Sequence, residues 1–223
     1  MSRHKKNGKL KYTNREFYKD KYELHGGTTK GVGWDGSENK SMERYRECFS
    51  MIDGNFSDLT LCEVGCGTGM GYRMYGEHFL DYVGVDAQDY YVSHCYEKYS
   101  MGKFLCRDVS ETLIPKVDVA VACGVFTINV GMSDKKYKEK FFDSLHNMLM
   151  QVDKCLIING FGTKVDYEHE NLYYHDLGEL MWYLTDLGFA FELKAYQNKL
   201  LPYEFFLKID KKIAIGAINT KVM

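Results

Sequence analysis

Two prolines in 223 residues leave no room for a Pro-rich linker or an O-glycosylated stalk. Long apolar runs are missing: the longest are of strand length, short of the ~18 residues a spanning helix needs. No apolar h-region follows the opening MSRHKKNGKLKY, so no secretory signal is expected there. Charge of one sign is also lacking, with 29 Lys and Arg against 31 Asp and Glu and a formal net charge of −2. That balance supplies no global basic field for a polyanion. Paired cysteines are absent: the seven are odd in number, with no CxxC motif and no Cys/His spacing for zinc, and no metal is expected. Cys62, Cys66, Cys95, Cys106, Cys123 and Cys155 lie in or beside apolar segments and read as small core residues kept reduced in a cytoplasm.

What is present is a chain that is 45% hydrophobic and long enough for one domain with its own core. Residues 1–23 are charged and Tyr-rich and lead into an amphipathic helix, and 25–36 (HGGTTKGVGWDG) hold five glycines and read as a loop. Met42, Tyr45, Cys48, Phe49 and Ile52 recur at helical steps within 37–52, and Gly54 is the expected stop. Strands are then predicted at 59–64, 82–86, 103–109, 117–126, 155–161, 189–196 and 203–209, with helices at 71–79, 90–99, 133–150 and 175–188. Short apolar runs alternating with helices mean βαβ units. The short link between the last two strands forces them antiparallel. The fold expected is α/β: a Rossmann-like, seven-stranded, mostly parallel sheet with a C-terminal antiparallel β-hairpin and an N-terminal helical cap. Residues 1–58 form the cap or lid and 59–223 the core.

The stretch EVGCGTG at 63–69 sits between a strand and a helix, where Gly65, Gly67 and Gly69 allow a tight turn and close approach of a ligand. Asp86 closes the next strand, 21 residues after Gly65, where an acid would accept from a ribose diol; Asp108 ends the third strand on the same sheet edge. Glu63 precedes the first glycine by two residues, and a carboxylate there would repel a pyrophosphate and suit a cationic ligand. Each has a plainer reading: a simple turn, a helix cap for Asp86 and Asp108, an ordinary strand-end carboxylate for Glu63.

These residues resemble motifs I to III of class I S-adenosylmethionine-dependent methyltransferases, and the closing hairpin resembles the end of their seven-stranded sheet. The resemblance is strongest over 59–161 and extends by strand order to 175–209. It implies S-adenosylmethionine as cofactor, with Glu63 and the turn Gly65, Cys66, Gly67 and Gly69 facing its methionine half. Asp86, with Ala87 beside it, would face the ribose, Asp108 and Val109 the adenine, and Cys123-Gly124-Val125-Phe126 the methyl-transfer side. More loosely, HGGTTKGVGW, Arg44-Tyr45 and LPYEFFLK resemble a poorly characterised bacterial subgroup. Some relatives there act in surface-polysaccharide or small-metabolite modification.

Arg44 is either a solvated helix charge or a ligand for the donor's carboxylate. The loop 25–36, with His25, Thr28, Lys30 and Trp34, is either a lid or a surface loop anchored by a buried Trp34. The loop 162–174, with Asp166, His169 and Tyr173, is either an acceptor pocket or a charged loop facing water. If a base is needed, His25 and His169 are the imidazoles to test, although each also reads as surface decoration. Tyr173, Tyr174, Trp182 and Tyr183 are candidates for an aromatic wall, with helix packing the alternative for Trp182. The fourth strand ends in ACGVF, without the D/N-P-P-aromatic motif of base-amino methylation or the Pro-Cys of cytosine C5 enzymes. With the neutral charge, that argues against DNA.

The expected function is methyl transfer to a small polar metabolite, O-directed, with Phe126, Thr28, Lys30, Asp166 and Tyr173 toward the acceptor; a sugar or polysaccharide precursor fits the looser resemblance. The alternatives are an RNA or protein methyltransferase, using Lys5, Lys6, Lys9 and Lys11, and a non-catalytic partner subunit. A small-molecule acceptor, no DNA, no membrane, and a monomer or homodimer complete the expectation, with RNA disfavoured by charge.

Overall fold

Apolar runs separated by helices pair in parallel, because each crossover returns the chain to the same end of the sheet. The computed structural model describes residues 13–34, 36–166 and 168–211. In it β1 (Thr60–Val64), β2 (Asp81–Asp86), β3 (Lys103–Cys106), β4 (Val117–Ala122) and β5 (Val152–Gly162) are parallel, in the order β3-β2-β1-β4-β5. A two-residue strand, β6 (Tyr174–His175), pairs with the end of β5 and has no counterpart among the sequence expectations. β7 (Ala190–Ala195) and β8 (Glu204–Asp210) form the hairpin, and β8 lies antiparallel between β5 and β7.

Six α-helices lie among the described residues: α1 (Asn14–His25), α2 (Glu38–Phe49), α3 (Met70–Tyr75), α4 (Asp89–Lys98), α5 (Asp134–Leu149) and α6 (Leu177–Asp186). Thr13 opens α1 through a reciprocal capping box with Glu16, and Ser37 and Ser133 cap α2 and α5. α2 stops at Phe49, before the expected Gly54, which takes φ +93° in the turn beyond.

Alternation along β1 separates two apolar layers. Cys62 and Val64 face one side with Val85, Ala120 and Leu156, under α5 (Phe141, Leu145, Met148) and α6 (Leu180, Leu184). Leu61 faces the other with Val119, Val121 and Ile157, under α2 (Tyr45, Cys48, Phe49) and α4 (Val92, Cys95). Each fully buried Leu in these layers contributes about 1.5–3 kcal/mol. α2, inside the expected 1–58 segment, is therefore packed into a sheet-face core.

Two strands end earlier than expected at the sheet's carboxyl edge, and one starts earlier at the opposite edge. β3 ends at Cys106, so Asp108 sits in the turn beyond it; β4 ends at Ala122, so Cys123–Phe126 form a loop. β5 begins at Val152, three residues early. Cys106 is exposed rather than buried, and Trp182 is 68% exposed, outside any aromatic wall.

Candidate functional site

The carboxyl ends of β1, β2 and β4 open into a cavity of about 710 Å³. Its floor is the turn after β1. Gly65 and Gly67 take φ +67° and +52°, conformations that carry a steric cost for any residue with a Cβ. At Gly65 a Cβ would also meet Val125 Cγ2 at 2.4 Å. The turn's amides are spent within the protein. Gly65 and Cys66 N–H donate to the Val85 carbonyl (2.7 and 3.1 Å), Gly67 N–H to Asp86 Oδ2 (2.9 Å) and Gly69 N–H to the Cys66 carbonyl (2.9 Å).

Asp86 ends β2 in the cavity wall, its second oxygen accepting from Gln88 N–H at 2.9 Å. Burial pushes its carboxyl up to about 6, aided by the charge of Asp108 and opposed by the amides it holds. Asp108 is also pulled up by burial. Lys140 on α5, 2.7 Å away, together with the Ser110 hydroxyl and amide, outweighs that and holds it below the usual carboxylate range. Cys66, Ala87, Val109, Cys123 and Phe126 line the same cavity.

Glu63 does not. Its side chain points to the opposite face from Cys62 and Val64, fully buried, and accepts from the Tyr45 hydroxyl at 2.7 Å and from the Tyr82 hydroxyl. Burial pushes it up to about 7, with the two phenols opposing. Gly71 lets α3 close over this carboxylate, since a Cβ there would lie 2.3 Å from Glu63 Oε2. The expectation that Glu63 presents a charge to the ligand is corrected: it braces the floor from beneath. Gly69, outside the cavity wall, caps α3 at φ +81°.

Arg44 is neither solvated nor in the wall. Its guanidinium grips Glu204 of β8 through Nε and Nη2, and lies 5.0 Å over the Trp34 ring. Glu204 Oε2 accepts from Asn159 Nδ2 (2.9 Å), and Asn159 Oδ1 accepts the Gly124 N–H (2.6 Å). Trp34 lies against Gly124 in turn, where a Cβ would sit 2.3 Å from the indole. These residues form a closed circuit that joins the segment before α2 to the loop after β4.

Thr28, Thr29, Val32 and Trp34 line the cavity from the N-terminal side, and the Thr68 hydroxyl donates to the Gly27 carbonyl at 3.4 Å. His25 and Lys30 are not in the wall; the Thr28 hydroxyl donates to the His25 carbonyl at 2.9 Å. From the 162–174 loop, Asp166, His169 and Tyr173 also stay out of it. Asp166 accepts from the Tyr203 hydroxyl (2.5 Å), and Tyr173 stacks on Tyr137 at 4.3 Å. Lys5, Lys6, Lys9 and Lys11 lie outside the described residues.

Sequence reasoning missed several wall residues: Tyr18 of α1, Gln88, and Tyr137, Lys140 and Phe141 of α5. His175, also missed, is buried with Nε2 donating to the Phe126 carbonyl at 2.8 Å, and burial pushes its imidazole down to about 4. Among the described residues no group of three or more His, Cys, Asp or Glu is placed to hold a metal, and no helix is long and apolar enough to cross a membrane.

No protein-family model matches the chain, and no curated protein matches it. Solved structures do. Magnesium protoporphyrin IX methyltransferase of Synechocystis PCC 6803, with SAH bound, superposes at TM-score 0.64 and 16% identity over 89% of this chain and 98% of that one. The DhpI–SAM–HEP complex gives 0.63 and 12%, over 92% and 99%. DesVI of Streptomyces venezuelae gives 0.62 and 11%, over 86% and 98%. At these identities the likeness is one of fold, and this chain has the Rossmann-like fold of the S-adenosylmethionine-dependent methyltransferases.

Proposed function

We propose that this protein is a methyltransferase that uses S-adenosylmethionine to methylate a hydroxyl of a small molecule. One observation carries the reading: the Gly65–Gly67 turn and the Asp86 carboxylate meet in the floor of a single cavity. A dinucleotide would need turn amides free for its pyrophosphate. Here the Gly65, Cys66, Gly67 and Gly69 amides are engaged, and the carboxylates of Asp86 and Asp108 would repel phosphate. A donor with a ribose and no phosphate fits that wall. Bound SAM and SAH in two fold neighbours are consistent with it.

In this reading Gly65, Cys66 and Gly67 hold the methionine half by close backbone approach. Asp86, flanked by Ala87, accepts from the ribose hydroxyls, and Val109 with Asp108 borders the adenine. Cys123, Gly124 and Phe126 flank the transfer side, and Trp34 and Thr28, from the segment before α2, cover the ligands. The bound donor supplies an activated sulfonium methyl. The chain's own task is alignment and exclusion of water, which accounts for most of the rate in such displacements. Because the His25 and His169 imidazoles lie outside the wall, no residue is assigned as base. A sugar or polysaccharide precursor as acceptor rests on the looser sequence resemblance alone.

Isothermal titration of the full chain with S-adenosylhomocysteine tests the reading. Binding is expected, weakened by about tenfold or more in Asp86→Ala, the loss of hydrogen bonds to a charged group. No binding to the wild type, or unchanged affinity in the variant, overturns it.

A further inference from the structure

The inner wall of the cavity is aromatic, and three of its phenols, Tyr18, Tyr99 and Tyr137, make no hydrogen bond to the described residues through their hydroxyls; the Tyr99 ring packs on Tyr72 and Phe104. The Tyr18 and Tyr137 rings are both held in place. Asn14, one helical turn before Tyr18, ties α1 to the loop before α5: Nδ2 donates to the Ile128 carbonyl (3.2 Å) and Oδ1 accepts the Val130 N–H (2.7 Å). Gly33 packs against the Tyr18 ring, where a Cβ would lie 3.2 Å from Cε1. Tyr137 is backed by Tyr173, whose N–H donates to the Thr127 carbonyl at 2.9 Å. Phe126 and Phe141, edge to face at 5.0 Å, line the cavity beside them, with Met132.

Two ion pairs lie in this wall, and Arg15, Lys98, Arg107 and Glu111 stand outside them. Asp108 holds Lys140, Glu38 holds Arg73 at 2.5 Å, and Asp86 holds two amides. No histidine lines the cavity among the described residues. An aromatic wall with open hydroxyls suits a flat, uncharged molecule with a hydroxyl of its own. With no imidazole in the wall to take its proton, an acceptor that ionises readily is favoured. A phenol ionises near pH ~10, whereas an aliphatic alcohol lies closer to the ~15.7 of water.

We infer that the acceptor is a small planar phenol, its hydroxyl received by the Tyr18 and Tyr137 hydroxyls and its ring by Phe126 and Phe141. This rests on the methyl-transfer reading above and names its acceptor class, in place of the sugar suggested by resemblance. The phenol oxygen forms a bond to the methyl carbon and the methyl–sulfur bond breaks with its electron pair left on the donor sulfur. The phenol proton leaves to water, and the product is an aryl methyl ether.

The test starts from the full chain loaded with S-adenosylhomocysteine, titrated with 2-naphthol. Binding is expected, weakened about tenfold in Tyr18→Phe/Tyr137→Phe by the loss of two neutral hydrogen bonds, with S-adenosylhomocysteine affinity held within about twofold. With the methyl donor, 2-naphthol and 4-nitrophenol should become methyl ethers, while UDP-glucose and ethanolamine phosphate stay unmethylated. A loaded protein that binds or methylates neither phenol, or prefers UDP-glucose or ethanolamine phosphate, overturns the acceptor class. A double variant that holds 2-naphthol as tightly as the wild type overturns the role of the tyrosines. Failure to bind S-adenosylhomocysteine at all overturns the methyl-transfer reading itself, and the acceptor class with it.

Discussion

Arg44 and Glu204, 160 residues apart, form a two-point ion pair: Nη2 to Oε1 at 2.6 Å and Nε to Oε2 at 2.9 Å. The Glu204 side chain is 2% exposed and that of Arg44 15%, so neither charge is solvated enough to stand alone. Arg44→Met leaves the buried carboxylate with Asn159 as its remaining side-chain donor. Removing one partner of such a pair costs about 3–5 kcal/mol, and urea unfolding should show it. Glu204→Gln in the same chain should recover a large part of the loss, because the buried charge is then gone. If Arg44 instead served the donor's carboxylate, Arg44→Met would weaken S-adenosylhomocysteine binding without this loss of stability.

That pair also marks the limit of what was legible in the sequence. Strands and helices were readable from local periodicity, since each apolar run reports its own burial. The glycine turn and Asp86 were readable because spacing along one βαβ unit fixes them in space. Glu204 as the partner of Arg44 was not, because only the antiparallel pairing of β8 with β5 brings it beside Asn159. Glu63 was misread for a related reason. A charge beside a glycine turn looks like a ligand contact until Tyr45, from α2, and Tyr82, from β2, are seen to hold it. Tyr18 and Tyr137 were two tyrosines among 18, and nothing local separates them from the rest.

Gly124 is the point where the segment before α2 meets the loop after β4. It takes φ +75°, and its bare Cα accommodates the Trp34 indole. Gly124→Ala should destabilise the protein by about 1 kcal/mol or more through backbone strain, and should displace Trp34 as well. With only two tryptophans in the chain, Trp182→Phe leaves Trp34 as the sole tryptophan, read by excitation at the red edge where tyrosine does not absorb. In that background Gly124→Ala should shift emission to the red and speed proteolysis of the 26–36 segment. Unchanged emission would mean that the indole does not depend on this contact.

Asp86 should make donor binding pH-dependent. Its carboxyl sits at about 6 in the folded protein, and ribose hydroxyls donate to the ionised form. Affinity for S-adenosylhomocysteine should therefore rise as pH increases through about 6 and level off above 7. Calorimetry across pH 5 to 8 measures this, and Asp86→Asn should flatten the profile. A profile that keeps its step in Asp86→Asn but loses it in Glu63→Gln would assign the titration to the carboxylate beneath the floor instead.

Glu63 bears on stability with a definite sign. Its carboxyl is raised to about 7 in the fold against the usual 4.5, so between those values the native state binds more protons than the unfolded chain. Stability then falls as pH rises across that window, because the unfolded state ionises first and the buried carboxyl resists. Below about 4.5 both states are protonated, and the contribution of this group is fully present. Asp86 slopes the same way over a narrower range. The buried His175 imidazole, pushed down to about 4 from 6.5, slopes the other way up to pH 6.5, so the Glu63 contribution is read as a difference: from pH 5.5 to 7.5 the urea midpoint of the ligand-free wild type should fall relative to that of Glu63→Gln. Glu63→Gln should also lower the midpoint at pH 5.5, because an amide oxygen replaces a carboxyl that Tyr45 and Tyr82 both address. A wild-type midpoint that instead rises relative to that of Glu63→Gln over this range would show that Glu63 is ionised in the fold and held by its two phenols as a carboxylate.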